Sequence, residues 1–328
     1  MAPSVLPTPI VKGAEPMAED KVVLVGVDGS PESLGAVDWA VARASRAGWR
    51  VHLLCAYSLP SFTTASLDGG YAALDDTAIR AGAQAVVDEA VARAQGSGVT
   101  VTSSLETGDP SGVLIDLSDE AALTVVGTRG GGGFTDRLLG TVSSALPAHA
   151  HCPTIVVPRH LEGADYTPVR RMVVGVDGSE SARKALRWAV HEAEVWGAEL
   201  TAIAAAPMAS GAGALAWLPA AVDREQVLID VRSGLDRAIA EATEGHSGIT
   251  VRRHALDGNA AELMAEFSTA VDLVVVGSRG RGGFSGLLLG STSQGVLSHA
   301  ACPVMVVPTR SKDDQLDGRN IGTPWGRA

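Results

Sequence analysis

Two stretches of the chain, GTRGGGGFTDRLLGTVSS at 127–144 and GSRGRGGFSGLLLGSTSQ at 277–294, gather the residue types that can hold a phosphate. Gly127 and Gly130 remove Cβ atoms where a backbone must turn sharply and approach a ligand. Further on, Gly140-Thr141-Val142-Ser143 offers consecutive backbone N–H groups and two hydroxyls, the makings of an anion nest. Thr128 lies between the first glycines, and Arg129 and Arg137 are the nearby cations, candidates for neutralising phosphate charge. The second stretch repeats the arrangement with Gly277, Ser278, Arg279 and Gly280, then Gly290, Ser291, Thr292 and Ser293. Its cations are placed differently, because Leu287 stands where the first stretch has Arg137, and Arg281 where it has Gly131. Upstream of each stretch is a carboxylate in a short turn: Asp28 after Gly26-Val27, and Asp177 after Gly175-Val176. A carboxylate there suits the acceptance of a ribose hydroxyl, and equally the capping of a following helix.

Other chemistries fit less well. No G-x-x-x-x-G-K motif is present, so this is not a P-loop, and a dinucleotide fingerprint belongs after a first strand, not after a fourth. His149-Ala150-His151-Cys152 invites a metal, but only His149 and Cys152 recur, as His299 and Cys302, and Ala301 replaces the second histidine. Hydrolysis of a nucleotide needs a positioned Mg²⁺ and a group orienting water. Asp28 and Asp177 are the only well-placed carboxylates of the motifs, and ribose binding occupies them. Trp39 and Trp188 fall at equivalent helix positions and read as packing residues, while the run 215–219 with Trp217 has no counterpart in the first half and reads as a loop or an interface.

The elements that position these residues follow from the repeat. KVVLVGVDGSPESLGAVDWAV (21–41) matches RMVVGVDGSESARKALRWAV (171–190), LTVVGTRGGGGF (123–134) matches LVVVGSRGRGGF (273–284), and HAHCPTIVVP (149–158) matches HAACPVMVVP (299–308). So long a period means a duplicated domain. The reading is an N-terminal disordered segment at 1–20, a first domain at 21–158, a linker at 159–169, a second domain at 170–308 and a polar tail at 309–328. Periodicity predicts strands at Val22–Val25, Val51–Ala56, Val99–Leu105, Leu123–Val126 and Thr154–Val157. Helices are predicted at Ser33–Ala47 and Thr77–Ala94, from Pro110, and within Gly133–Ala148. The second half repeats the order, with strands Met172–Val176, Leu200–Ala205, Thr250–Leu256, Leu273–Val276 and Val304–Val307. Its helices are Ser181–Trp196, Gln226–Ala242, Ala260–Thr269 and Leu287–Ser298. Short all-apolar strands between helices predict an α/β fold, two tandem open parallel five-stranded sheets covered on both faces in the order 3-2-1-4-5. In that order strands one and four are neighbours at the switch point, where ligands bind.

Composition sets limits. The net charge of −11 argues against a nucleic-acid groove, and no apolar run reaches the length of a membrane span. Three cysteines, with no C-x-x-C spacing and no secretory signal, fit a reducing cytoplasm.

The spacing G-x2-G-x9-G followed by Ser or Thr, found twice and each time downstream of V-D-G-S, resembles the universal stress protein family in its tandem-domain, ATP-binding form. The resemblance implies a Rossmann-like fold of the adenine-nucleotide α-hydrolase type. It also implies two ATP molecules per chain, with Mg²⁺ admissible beside the phosphates. The first-strand Asp contacts the nucleotide, the main chain at Ala56 and Ala205 meets adenine, and the glycine motif holds ribose and phosphates. Carried over, that selects Gly26, Val27, Asp28, Ala56, Gly127–Gly130, Gly140, Thr141, Val142 and Ser143, and their counterparts Gly175, Val176, Asp177, Ala205, Gly277–Gly280, Gly290, Ser291, Thr292 and Ser293. A sensor or regulator is the implied role, with a slow ATPase or a nucleotide-free dimerising scaffold as alternatives. The family pairs strand five across a two-fold axis. Here Thr154–Val157 against Val304–Val307 is expected to give an internal pseudo-dimer, and a further homodimer is left open.

Overall fold

The computed structural model describes residues 21–58, 76–130, 139–159, 166–206, 224–246, 248–280 and 289–309. The first half runs β1 (Val22–Gly26), α1 (Pro31–Ala47), β2 (Arg50–Tyr57), α2 (Asp76–Ala94), β3 (Val101–Thr107), α3 (Pro110–Leu117), β4 (Leu123–Gly127), α4 (Thr141–His149) and β5 (Thr154–Val157). The second half repeats it as β6 (Arg171–Gly175), α5 (Glu180–Trp196), β7 (Glu199–Ala206), α6 (Arg224–Ala242), β8 (Val251–Asp257), α7 (Ala260–Phe267), β9 (Leu273–Gly277), α8 (Ser291–His299) and β10 (Val304–Val307). The proposed N-terminal segment and nearly all of the tail, and the loop carrying Trp217, lie outside the described residues.

Within each half the strands are parallel, and the full order is β3-β2-β1-β4-β5-β10-β9-β6-β7-β8. The two five-stranded sheets expected from sequence are therefore one ten-stranded sheet, joined where β5 and β10 pair antiparallel with Ile155 opposite Met305. The inner strands are buried on both faces because helices cover both. Leu24, Val25, Val125, Ile155, Val274 and Met305 are all fully buried. That environment favours the β-branched runs these strands carry.

The helices start and stop on local chemistry. Ser30 caps α1 by accepting from Ser33 N, Pro31 occupies the first turn, and Gly48 ends the helix in the left-handed region at φ 68°. Ser179 and Gly197 do the same for α5. Because the helix starts at its serine cap and not at the first residue of the apolar spacing, α1 begins two residues before the position predicted from periodicity, and α5, which has no proline, begins at the equivalent Glu180. The fourth helix of each half begins later than predicted. Gly140 and Gly290 are extended N-cap residues, at φ −77° and −74°, so Leu139 and Leu289 just before them are not helical, and the earlier part of each predicted span lies outside the described residues.

Candidate functional site

The site is built at the carboxyl ends of β1 and β4, the switch point of the first half. After β1, Val27 N–H still donates to Leu54 O, and the chain then turns through Gly29 at φ 78° into α1. Asp28 Oδ1 closes that turn, accepting from Ser30 N at 3.0 Å and from Ser30 Oγ at 2.6 Å. Ser30 Oγ also donates to Arg129 O at 3.3 Å, which ties the first turn to the glycine loop after β4. Asp28 thus does not cap α1 itself. It supports Ser30, which does, and its side chain stays exposed at the mouth of the cleft.

Two glycines of the motif lie close to other groups, Gly127 to main chain and Gly130 to the end of a side chain. A Cβ on Gly127 would lie 2.7 Å from the main-chain carbon of Glu32, and one on Gly130 would overlap Asp28 Oδ2. Gly277 and Gly280 stand in the same relation to Ser181 and Asp177. Gly140 is different. Its nearest neighbour would be Thr128 O at 3.5 Å, an ordinary contact, and its φ is one any residue adopts. Nothing among the described residues requires a glycine there.

What Gly140 leaves open is the start of α4. The helices of the first half begin at this end, and the caps of three of them are described. Ser30 caps α1 and Asp109 caps α3 by accepting from Gly112 N, whereas α4 has no side-chain cap. The second half repeats this, with Ser179 on α5, Asn259 on α7 and no side-chain cap at Gly290 for α8. The first N–H groups of a helix have no partner within it, and together with the helix dipole they attract an anion. Ser143, counted from sequence as one of two hydroxyls of the nest, is buried and donates to Thr128 O at 2.6 Å. With Gly140 N–H donating to the same carbonyl at 2.8 Å, it locks α4 to the end of β4. Ser293 and Gly290 N–H lock α8 to Ser278 O in the same way. Thr141 remains exposed beside the main-chain N–H groups, and Val142 is half-buried.

These elements enclose a cavity of about 780 Å³. Of the residues selected from the sequence of the first half, Gly26, Val27, Asp28, Ala56, Gly127, Arg129, Gly130, Gly140, Thr141, Val142 and Ser143 line it. Thr128 instead faces a neighbouring cavity of about 280 Å³, which it shares with Arg129 and, from the second half, Leu297 and Ala301. In the second half, Gly175, Val176, Asp177, Gly277, Ser278, Arg279, Gly280, Gly290, Ser291, Thr292 and Ser293 occupy matching places. Asp177 Oδ1 accepts from Ser179 N at 2.9 Å and Ser179 Oγ donates to Arg279 O at 3.5 Å. Ala205 is the last residue but one of β7, as Ala56 is of β2. Arg137 and Arg281, with Leu287, lie outside the described residues. The apolar wall of the large cavity, Leu54, Leu114, Val126 and Leu139, was not singled out from sequence. Leu114 had no distinguishing signal, since Val113, Ile115 and Leu117 beside it are equally apolar and only the fold buries Leu114 against the cavity.

The remaining reactive groups are turned inward. Cys152 is fully buried, shares a hydrogen bond with Thr124 Oγ1 at 3.1 Å, and its thiol is pushed up to about 12 by burial. Burial does the same to Cys302, also to about 12. Among the described residues no group of three or more His, Cys, Asp or Glu side chains is placed to share a metal ion. Trp39 and Trp188 are buried between helices, as packing residues are.

Comparison with known proteins agrees with this architecture. Residues 21–158 and 168–308 each match the universal stress protein family. The chain is 32% identical over 298 residues to universal stress protein Rv2623 of Mycobacterium tuberculosis, covering 87% of this chain and 95% of that one. It is 33% identical over 294 residues to Rv2005c of the same organism, covering 87% and 96%. A universal stress protein of Archaeoglobus fulgidus has the same fold, with a TM-score of 0.66 at 22% identity over 90% of this chain and 98% of that one. Two copies of one domain, each with its own V-D-G-S turn and uncapped fourth helix, make this chain a tandem-domain member of the universal stress protein family.

Proposed function

We propose that the chain binds adenine nucleotides, ATP foremost, at one site per half, and acts as a nucleotide-dependent sensor or regulator. The observation that carries this reading is the uncapped start of α4 opening into a cavity whose opposite wall is apolar. A cavity of about 780 Å³ is of the size that encloses a small organic ligand, and its polar groups are few and convergent. In this reading the N–H groups of Thr141, Val142 and Ser143 hold phosphate oxygens, and Arg129 offsets their charge. Asp28 accepts from a ribose hydroxyl, and the Ala56 main chain with Leu54 and Leu114 flanks the base. The same roles fall to Ser291–Ser293, Arg279, Asp177 and Ala205 in the second half. Mg²⁺ enters only with the phosphates, whose charge it offsets.

A binding role is favoured over hydrolysis because Asp28 Oδ1 is committed to Ser30, and with a ribose on the same carboxylate no base remains to orient water. The three cysteines are buried and unpaired, in keeping with a cytoplasmic protein. Each chain supplies both members of the β5–β10 joint, which supports its acting as an internal pseudo-dimer. The test is mass spectrometry of small molecules released from natively purified protein, with calorimetry using ATP. Bound ATP approaching two per chain is the expected result. A chain that carries no adenine nucleotide and gives no heat with ATP overturns the reading, and steady production of ADP replaces it with a slow ATPase.

A further inference from the structure

The two halves meet along β5–β10 and along the packed pair α1 and α5. Both contacts sit on the pseudo-two-fold axis relating the halves, because in each a residue meets its own counterpart. In the strands the central pair is Ile155 with Met305. In the helices it is Arg43 with Glu192, which are 149 residues apart, the offset that also relates Asp28 to Asp177 and Trp39 to Trp188.

The strand pair does not discriminate. Ile155 and Met305 are apolar and of similar volume, so a first half placed against another first half would set isoleucine on isoleucine at little cost. The helix pair does discriminate. Arg43 and Glu192 are both 0% exposed and bonded through two parallel contacts, Nε to Oε2 at 2.7 Å and Nη2 to Oε1 at 2.8 Å. Each charge is also steadied by an aromatic ring of its own half. The Arg43 guanidinium lies 4.2 Å from the centre of the Trp49 ring, and Trp196 Nε1 donates to Glu192 Oε2 at 3.2 Å. His191 Nε2 lies 3.4 Å from Arg43 Nη2, and Trp39 packs on Trp196 with ring centres 5.8 Å apart. The other charges recorded around the pair, Lys21, Arg46 and Glu194, are half-buried or exposed, so among the described residues none stands at this depth.

We infer that the Arg43–Glu192 pair selects the partner of each half, so that a first half accepts only a second half, from its own chain or from a second copy. The reason is symmetry. A residue on a two-fold axis meets itself in a like pair, so two first halves would bury arginine against arginine and two second halves glutamate against glutamate. Leaving a buried charge without its opposite lowers a pairing constant by about 10²–10³-fold. The shared strand edges would otherwise let like halves of different chains join sheet to sheet. The unlike pair closes that route and leaves the ten-stranded sheet as the assembly that satisfies both contacts.

The test uses full-length chains. Arg43→Glu makes both helix contacts acidic, and Glu192→Arg makes both basic. Each single variant is expected to lose about 5–15 °C of melting temperature and to show red-shifted tryptophan emission from the opened interface. The double exchange, Arg43→Glu with Glu192→Arg, restores the opposite charges in reverse and is expected to recover most of that loss. When the two single variants are co-expressed with different tags, each half of one finds an opposite charge only on the other, so a 1:1 complex is expected in native mass spectrometry. Single variants as stable as the wild type, a double exchange no better than the singles, or no co-purification of the two single variants would each overturn the inference.

Discussion

Asp28 looks from sequence like either a helix cap or a ligand contact, and its geometry separates the two. Oδ1 holds Ser30, so Asp28→Ala removes two hydrogen bonds of the turn along with the charge and confounds fold with binding. Asp28→Asn keeps an oxygen for Ser30 and loses only the charge. Its unfolding midpoint is expected to stay near the wild type, while ATP affinity falls about 5-fold, the difference of about 1 kcal/mol between a charge-assisted and a neutral hydrogen bond. Calorimetry beside denaturant unfolding decides the matter, and unchanged affinity would remove the ribose role. A second residue was invisible to motif reading. His52 lies inside β2, buried at 1% exposure, with Nδ1 2.9 Å from Thr102 Oγ1 and Nε2 2.9 Å from Ser104 Oγ. Burial, with Arg50 nearby, lowers its pKa to about 4 from the ordinary 6.5. Between those values the unfolded chain binds the proton and the folded chain does not. The stability is therefore present in full above about pH 6.5 and declines as pH falls towards 4. From pH 7 to pH 5 the contribution of His52 should shrink by about 2 kcal/mol. Denaturant unfolding of His52→Gln should show a correspondingly shallower pH slope, and equal slopes would assign the acid sensitivity to other groups.

At the scale of elements, the repeated glycine motif divides into two jobs that the sequence could not tell apart. Gly127 ends β4 against the first turn of α1, and Gly140 starts α4 where a Cβ would make only ordinary contacts. Gly127→Ala forces a Cβ to within 2.7 Å of Glu32 main chain and is expected to destabilise the fold by about 1–3 kcal/mol. Gly140→Ser meets no such obstacle and supplies the missing N-cap, so stability should hold or rise by a few tenths of a kcal/mol. The new hydroxyl would occupy the N–H groups assigned to phosphate, and ATP affinity should fall about 10-fold. A Gly140→Ser chain that binds ATP as tightly as the wild type would end the cradle interpretation. The inner strands were legible because each is a short apolar run buried on both faces, and β1, β4, β5, β9 and β10 lie within a residue of their predicted ends, whereas the polar edge strand β3 is displaced by two residues from its predicted bounds. The start of α4 was not, because apolar spacing runs on through Leu138 and Leu139 although Gly140 is extended. Nor could the spacing of Ser143 reveal that its hydroxyl is directed at Thr128 O, since that depends on how far α4 stands from β4.

For the whole molecule, the repeat made the two halves evident and the strand-five pairing, observed with Ile155 opposite Met305, was expected, but the helix side of the junction was not legible. Arg43 and Glu192 are ordinary charged residues in amphipathic helices until the fold places them on one axis. Four tryptophans gather there too, with Trp39 against Trp196 and His191 near the rings of both Trp49 and Trp188. Sheet and core run unbroken through this junction, since Val156, Val157, Val306 and Val307 beside it are as buried as the centre of either half. Neither half can open without exposing that apolar surface and separating a buried ion pair. Heat should therefore unfold the chain in one transition, with tryptophan emission and far-ultraviolet circular dichroism changing together. The same coupling means that nucleotide held in one half stabilises both. ATP at 100 times its dissociation constant adds about 2.7 kcal/mol for one site, which for a chain of this size unfolding as one unit raises the melting temperature by about 4 °C. Asp177→Asn, which weakens the second site alone, should leave that single transition shifted as a whole by ligand in the first. Two transitions, of which only one responds to ATP, would show that the halves unfold independently and that the junction joins them without coupling them.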